Sequence, residues 1–221
     1  MPQIDINADI GEGFAHDDEL MTLVSSVNVC MGVHAGSPEF GHQTFLMAIS
    51  VGCRVGAHVG FPDRASMGRK LPDQVPDDWV ESVIDQVTRA ADYAYIKPHG
   101  ALYHWLANEP VKASKVWDAL AKVELPFMGM LGTEHDFQCR SKGLHFISEG
   151  FCERTYAPNG LLVPRSEPSS MIYDHEVIVS QALRLANEVD SICIHGDRPD
   201  CLAVATSVRA ALIGHGFEVS P

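Results

Sequence analysis

Four histidines in this chain stand within two residues of a glycine, each at the end of an apolar run typical of a β-strand. They are His34, His58, His99 and His195. Histidine is the side chain whose ordinary pKa lies closest to neutral pH, and glycine permits tight turns and close approach to a ligand. The repetition predicts one polar site to which several strand ends contribute side chains.

Two carboxylates lie at the end of the first predicted strand, where Asp9 and Glu12 stand in a glycine-bearing turn. Paired acids near histidines can transfer protons or hold a divalent metal ion, and the alternative is that they cap turns or pair with arginines. An Asp with two or three His suits zinc or another transition metal, but no close ligand pair such as HExxH fixes the set. The sequence therefore leaves a divalent metal open.

A lysine and a further acid complete the candidate set. Lys97 directly precedes Pro98 and His99, and it can hold a carboxylate, polarise a carbonyl or act as a base if burial lowers its pKa. The alternative is a salt bridge to Asp9 or Glu12. Asp197 follows His195 by two residues and is expected to orient its ring or contact a substrate.

The elements that must position these residues alternate between short apolar runs and longer amphipathic ones, the pattern of parallel strands joined by helices. Ligands in such folds gather at the carboxyl ends of the strands. Seven predicted strands without a GxGxxG motif predict an irregular seven-stranded (β/α) barrel in the α/β class. Because GxxxxGK[ST] is also absent from the sequence, we expect that the chain does not bind ATP by itself. The predicted strands are 3–8, 26–31, 53–57, 94–97, 127–131, 145–148 and 191–194, and the predicted helices begin at 17 or span 38–51, 77–91, 110–122, 174–189 and 199–215.

The composition is that of a globular protein of 221 residues with 46% apolar and 20% charged residues. No linker divides it, so we expect one domain over 1–221. A net charge of −13 argues against nucleic acid as a partner. Without a signal segment or an apolar run of about 20 residues, we expect a cytoplasmic protein with no membrane partner. The histidines expected to be structural are His16, His42, His104, His135, His145, His175 and His215.

Several runs resemble a known family over nearly the whole chain. They are Asp5-Ile-Asn-Ala-Asp-Ile-Gly-Glu-Gly13, Gly32-Val-His-Ala-Gly36, Gly56-Ala-His-Val-Gly-Phe-Pro-Asp63, Lys97-Pro-His-Gly-Ala-Leu-Tyr103, Glu153-Arg-Thr-Tyr156, Gly160-Leu-Leu-Val-Pro-Arg165 and His195-Gly-Asp197. The sequence is similar to the LamB/YcsF family of bacterial 5-oxoprolinase A subunits. The resemblance implies a barrel similar to those of glycoside hydrolases and deacetylases. It also implies hydrolysis of the lactam of 5-oxo-L-proline to L-glutamate, coupled to ATP hydrolysis through partner subunits B and C.

The resemblance and the strand-end pattern together give a set of expected site residues. The expected catalytic residues are Asp9, Glu12, His34, His58, Lys97 and His99, and the expected substrate-binding residues are Asn7, Asn28, Arg69, His195 and Asp197. Lys97 would hold the substrate carboxylate or carbonyl. One histidine with Asp9 or Glu12 would handle the proton or the attacking water.

The sequence also departs from the family pattern, and other functions stay open. Ser37, Val59 and Asn159 stand where the family usually has aspartate, proline and aspartate, and the segment between Asp77 and Lys97 is about ten residues short by the family pattern. These changes are expected near the site mouth, where they would affect the substrate or partner. The alternatives are a self-sufficient metal-dependent deacetylase or amidase and a non-catalytic subunit that binds the lactam.

Overall fold

A computed structural model describes residues 1–165 and 167–221 of the chain. Strands and helices alternate through most of it, and Arg64–Ser66 form one turn of 3₁₀ helix. The strands are β1 (Gln3–Ile10), β2 (Ser26–Cys30), β3 (Arg54–Val59), β4 (Tyr95–Pro98), β5 (Phe127–Met130), β6 (Phe146–Phe151), β7 (Ser191–His195) and β8 (Glu218–Val219). The helices are α1 (Asp17–Met21), α2 (Pro38–Ser50), α3 (Asp77–Thr88), α4 (Gly100–Asn108), α5 (Ser114–Val123), α6 (Glu134–Lys142), α7 (His175–Leu185) and α8 (Cys201–Gly214).

The first seven strands form a closed parallel barrel, as the sequence predicts. Each of β2 to β6 pairs with the next strand, and β1 pairs with both β7 and β2, which closes the ring. The pairing register sets Asp9 level with Asn28 on one side and with His195 on the other. Closure therefore brings the strand ends that carry the candidate residues to one end of the barrel.

The alternation of side-chain directions along β1 explains why the interior of the barrel is polar. Ile4, Ile6 and Ile10 are buried in the hydrophobic core formed with α7 and α8. Asn7 and Asp9, on the opposite face, make hydrogen bonds across the barrel interior. Because successive side chains of a strand point to opposite faces, one strand supplies both the outer apolar layer and the inner polar one. Burial of each isoleucine contributes about 1.5–3 kcal/mol.

Three elements were not predicted. β8 pairs with β1 outside the closed ring. Helix α4 begins directly after His99, between the predicted strand 94–97 and the predicted helix 110–122, and Gly100 at its start has a φ of +49°. Helix α6 carries two acids and two bases in nine residues and so has little apolar periodicity. The predicted helix at 110–122 is observed as α5, which begins at Ser114.

Candidate active site

A cavity of about 560 Å³ opens at the carboxyl ends of the barrel strands. Its position is the one at which (β/α) barrels bind their ligands. The sequence-predicted residues that line it are Asp9, Glu12, His58, Arg69, Lys97, His99, His195 and Asp197. His34, Asn7 and Asn28 are fully buried and do not belong to the lining that the described residues form.

Glu12 lies at the centre of three imidazole rings. Its Oε1 is 3.4 Å from His34 Nε2, 3.7 Å from His58 Nε2 and 3.3 Å from His99 Nδ1. The four donor atoms all lie within 4.8 Å of one another. The rings of His34 and His99 are stacked, with 4.1 Å between centroids. We call Glu12, His34, His58 and His99 the histidine cluster.

Backbone carbonyls fix the orientation of two of these rings. His58 Nδ1 donates to the carbonyl of Lys97 at 3.1 Å, and His99 Nε2 donates to the carbonyl of Met67 at 2.8 Å. A carbonyl only accepts, so both hydrogens lie on those nitrogens when the rings are neutral. The opposite nitrogens, His58 Nε2 and His99 Nδ1, then face each other as two lone pairs 2.9 Å apart. That arrangement requires a shared proton or a metal ion.

The histidine cluster fits a divalent metal ion by its donors and by its unsatisfied atoms. Within the described chain, Glu12 Oε1 and both ring nitrogens of His34 have no hydrogen-bond partner. Imidazole with one carboxylate is a donor set that zinc and other transition metals accept. Carbonyl-bound ring N–H groups, as in His58 and His99, are the usual support of metal-binding histidines. The sequence suggested Asp9 as the acidic ligand, and the structure places Glu12 there.

The turn that carries His34 is held by a guanidinium group. Arg64 donates to the carbonyls of Gly32, Val33 and Gly36 at 3.0, 3.3 and 2.7 Å. A Cβ on Gly60 would lie 2.4 Å from His34 Nδ1, so only glycine permits this close approach. Burial by itself lowers the pKa of His34, but the neighbouring Cys30 and Glu12 outweigh it and raise the pKa to about 9.

Lys97 lies in β4, level with His58 in β3, and is only 2% exposed. Its Nζ is 2.9 Å from Asp9 Oδ1, 2.6 Å from Glu149 Oε1 and 3.0 Å from Asn7 Oδ1. Burial alone would lower the pKa of Lys97, but Asp9, Cys193 and Glu149 together raise it well above its ordinary value. Lys97 is therefore a fixed cation at neutral pH, and its three protons already have partners.

The same ion pair keeps Asp9 charged. Burial alone would raise the pKa of Asp9, but His58 and Lys97 outweigh it and hold the pKa well below its ordinary value. The second carboxylate oxygen, Oδ2, is 3.4 Å from His58 Nε2. Asp9 thus links Lys97 to the histidine cluster as a permanent negative charge.

Asn7 and Asn28 support this network and lie outside the cavity lining that the described residues form, so their contact with the substrate stays a prediction. Asn28 Nδ2 donates to Asn7 Oδ1 at 2.8 Å and to Asp9 Oδ1 at 2.9 Å. Asn7 Nδ2 donates to Ser191 Oγ at 2.8 Å. Both amides are fully buried because the inward face of their strands points into the closed barrel.

The acid that orients His195 is not the one that its sequence neighbourhood suggests. His195 Nδ1 lies 2.9 Å from Glu153 Oε2, and Glu153 also accepts from the backbone N–H of His195 at 2.8 Å. Asp197 points elsewhere: its Oδ2 lies 2.7 Å from Arg69 Nη2 and 3.4 Å from Arg165 Nη1. Arg69 lies in the segment between β3 and α3, and Arg165 lies in the segment between β6 and α7. Asp197 therefore joins these two segments at the mouth of the cavity.

A second charged region borders the same cavity. It consists of Arg69, Arg154 and Arg165, which we call the arginine wall, together with His104. Arg154 is only 2% exposed and donates to the carbonyls of Ser170 and Val163 at 3.2 and 2.7 Å. Sequence reasoning assigned Arg154 and Arg165 no role and expected His104 to be structural.

The comparisons with known proteins agree with the motifs. The family model described as LamB/YcsF family matches residues 4–221. The chain belongs to the LamB/YcsF family. It is 36% identical to a Mycobacterium avium (strain 104) protein named as the A subunit of 5-oxoprolinase, with 99% of this chain and 98% of that protein aligned. A protein of the same name from Brevibacillus brevis is 34% identical over 100% of this chain and 98% of the relative.

Solved structures place this LamB/YcsF chain among known barrels. A lactam utilization protein from Thermus thermophilus superposes with a TM-score of 0.83 at 33% identity, covering 99% of both chains. A structure described as a T48 deacetylase with substrate gives a TM-score of 0.51 at 12% identity over 99% of this chain and 87% of that one. The second likeness concerns the fold alone, and it agrees with the expected deacetylase-like barrel.

The three departures from the LamB/YcsF pattern lie outside the cavity lining that the described residues form. Ser37 is the N-cap of α2, where its Oγ accepts the N–H of Phe40 at 3.1 Å, a role that an aspartate also fills. Val59 is buried in the outer core. Asn159 is exposed and accepts the N–H of Leu161 within a turn. Their expected effect on the substrate or partner stays a prediction.

In the described parts of this LamB/YcsF chain, no helix combines the length and the apolar character needed to span a bilayer. Glu149 and Glu153 are two buried acids near the site that sequence reasoning missed. Glu149 lies within an apolar strand-like run, Phe146–Phe151, and Glu153 follows it closely. An acid in or beside such a run is a signal that it has a buried partner.

Proposed function

We propose that this chain is the A subunit of an ATP-dependent 5-oxoprolinase that hydrolyses the lactam of 5-oxo-L-proline to L-glutamate together with partner subunits B and C. The observation that carries the proposal is the histidine cluster, which shares one barrel-end cavity with the charged pair of Asp9 and Lys97. The names of the relatives support the substrate. We expect the complex to act in the cytoplasm, where ATP is available.

Hydrolysis requires a water molecule to attack the lactam carbonyl carbon, the C–N bond to break and the nitrogen to gain a proton. Glu12 is the carboxylate placed to take the proton of the water, since its Oε1 has no hydrogen-bond partner among the described residues. His58 or His99 is placed to return a proton to the nitrogen. Asp9 and Lys97 keep the electrostatic field at the cluster constant, because the lowered pKa of Asp9 and the raised pKa of Lys97 both favour the charged form.

If a divalent metal ion occupied the histidine cluster in place of a shared proton, Glu12, His34, His58 and His99 would hold it as ligands rather than exchange protons, and the ion would polarise the lactam carbonyl and make a bound water more acidic. The protein's own contribution is to hold the rings in one tautomer through the carbonyls of Lys97 and Met67. The same contacts exclude water from the far side of the rings, which are almost fully buried.

We place ATP use on the partner subunits, because the sequence contains no GxxxxGK[ST] phosphate-binding loop. An amide carbonyl is a poor electrophile, and transfer of a phosphoryl group to its oxygen would activate it. The chain would then need to bind and open the activated lactam but not the nucleotide.

The test is turnover of 5-oxo-L-proline by the purified chain mixed with subunits B and C and ATP, followed as glutamate release. His99→Ala should lower turnover by at least about 100-fold. His215→Ala is the matched control, because His215 is exposed and bonds only to the carbonyl of Ala211 among described residues. Full activity of His99→Ala would contradict the site assignment.

A self-sufficient metal-dependent amidase or deacetylase is the second candidate, and the Glu12-centred donor set favours it. Metal analysis with a turnover assay separates the two: one equivalent of zinc and hydrolysis without partners or ATP would select this candidate. Calorimetric binding of 5-oxoproline with no turnover in the complete mixture would instead indicate a non-catalytic binding subunit.

A further inference from the structure

Arg154 is a buried cation without a counter-charge. Its guanidinium group makes hydrogen bonds to two backbone carbonyls, those of Ser170 and Val163, through Nε and Nη2. Within residues 1–165 and 167–221, no carboxylate lies within 4.0 Å of it, and Nη1 has no hydrogen-bond acceptor. Burial and the neighbouring Arg165 lower its pKa to about 10, so it stays protonated. A buried charge of this kind is costly unless something compensates it.

The surroundings of Arg154 have an excess of positive charge. Three guanidinium groups, those of Arg69, Arg154 and Arg165, border this side of the cavity, and Asp197 is the acid that pairs with two of them. The other acids in the lining, Asp9 and Glu12, are engaged by Lys97 and the histidine cluster. The arginine wall therefore carries about two positive charges that no acid in the described cavity lining balances.

We infer that the arginine wall binds the carboxylate of the substrate, with Arg154 and Arg165 as the residues that select an anionic lactam over a neutral one. A carboxylate matches the planar fork of a guanidinium group, which can donate two parallel hydrogen bonds. Arg154 is held rigidly by its two carbonyl contacts, so little side-chain entropy is lost on binding.

The inference rests on the proposed function for the lactam, but it assigns the recognition of charge to residues other than Lys97. Lys97 Nζ already has Asp9, Glu149 and Asn7 as partners, so it offers no free donor to a ligand. The lactam ring would then lie between the arginine wall and the histidine cluster, along walls formed by Met130, Phe151 and Leu162. The amide would face Glu12.

The test compares calorimetric binding of 5-oxo-L-proline and of 2-pyrrolidinone, the same lactam without the carboxylate. The wild-type chain should prefer the acid by at least about tenfold. Arg154→Gln and Arg165→Gln should each remove most of that preference and leave 2-pyrrolidinone binding unchanged. Arg184→Gln is the matched control, because Arg184 is exposed on α7 and pairs with Glu188. An unchanged preference in both Arg154→Gln and Arg165→Gln would overturn the inference.

A second readout separates this inference from the proposed function. Acetate should raise the melting temperature of the wild-type chain above that in sodium chloride of equal ionic strength, and the difference should vanish in Arg165→Gln but not in Arg184→Gln. The Arg165 side chain is 34% exposed, so its replacement leaves folding intact. If acetate stabilises the chain in this way while 5-oxoproline does not bind, the anion site stands and the proposed substrate is wrong. If acetate has no such effect, the anion site is wrong.

Discussion

The histidine cluster and the arginine wall border the same cavity but are built in opposite ways. Glu12 is a carboxylate surrounded by three imidazoles, and each of these rings comes from a strand or from the turn after one. Arg154 and Arg165 are cations in the irregular segment after β6 and have too few acids near them. The difference indicates that one side is arranged for a cation or proton and the other for an anion.

The two regions also differ in the elements that carry them. The strand ends that carry the histidine cluster are fixed by barrel closure, whereas the arginine wall depends on two loops that meet at Asp197. Chemistry that needs ring nitrogens within a few ångströms of one another requires the rigid frame, while recognition of a substituent can vary with loop sequence. We therefore expect reaction type to depend on the cluster and substrate choice to depend on the arginine wall.

The largest effect on turnover should come from replacing Glu12, because this change affects the histidine cluster and leaves the arginine wall intact. Glu12→Gln removes the carboxylate that faces all three rings and should lower turnover about 10³-fold or more, with 5-oxoproline binding unchanged. The measurement is glutamate release by the reconstituted complex, with calorimetry beside it. Glu81→Gln, on the exposed face of α3, is the control and should keep wild-type turnover. If Glu12→Gln lost 5-oxoproline binding rather than turnover, the assignment of the reaction to the histidine cluster and of substrate binding to the arginine wall would be wrong.

The second effect contrasts a paired cation with an unpaired one. Lys97→Met leaves Asp9 and Glu149 as buried acids without their cation, so the free energy of unfolding should fall by about 3–5 kcal/mol. Arg154→Met should cost less than about 2 kcal/mol, because it removes two hydrogen bonds but also an uncompensated charge. Urea denaturation at pH 7 measures both.

A matched double variant checks the cause. Lys97→Met with Glu149→Gln should recover part of the stability lost in Lys97→Met, since one of the two orphaned charges is gone. Equal costs for Lys97→Met and Arg154→Met would mean that Arg154 has a counter-charge after all.

The third effect is a pKa that reports on the arginine wall. Burial, Arg154 and Arg165 lower the pKa of His104 to about 4. Because the unfolded chain binds this proton near pH 6.5, the stability that His104 contributes is complete above pH 6.5 and is lost as pH falls towards 4. An NMR titration should find the His104 pKa raised in Arg165→Gln and raised when 5-oxoproline binds. No change in either case would mean that the wall exerts no field on the cavity.

The smallest effect should come from the ion pair at the mouth. Arg69 and Asp197 are partly exposed, at 31% and 17% of their side chains, so Arg69→Gln should change the free energy of unfolding by less than about 1 kcal/mol. It should raise KM a few-fold and leave kcat unchanged. Thermal unfolding and steady-state kinetics measure these quantities. A larger loss of kcat than of KM would place Arg69 with the histidine cluster instead.

The two regions differed in how far the sequence predicted them. His34, His58 and His99 could be found because each stands within two residues of a glycine at a strand end, and Glu12 follows the first strand. Arg154 and Arg165 carry no spacing signal, since an isolated arginine in a loop is typical of solvent-exposed sites. Their proximity to the cavity depends on how the segment after β6 folds back, which only the tertiary structure shows.

The strands of the barrel were predicted from the sequence, whereas the closing strand pair, helix α6 and the acid partner of His195 were not. Alternating apolar runs gave the seven strands, but the pairing of β1 with β2 that closes the ring has no local signature. Helix α6 was missed because its buried residues include the polar pair His135 and Asp136. The acid partner of His195 was assigned to Asp197 from proximity in sequence, whereas the register brings Glu153 from the neighbouring strand end.

The most direct test of the two-sided cavity is a crystal structure of the chain soaked with 5-oxo-L-proline. We predict the carboxylate of the ligand within hydrogen-bond distance of Arg154 or Arg165, with its lactam carbonyl turned towards Glu12, His58 and His99. A ligand in the reverse orientation, with its carboxylate on the histidine cluster and its ring against the arginines, would show that the two sides of the cavity are wrongly assigned.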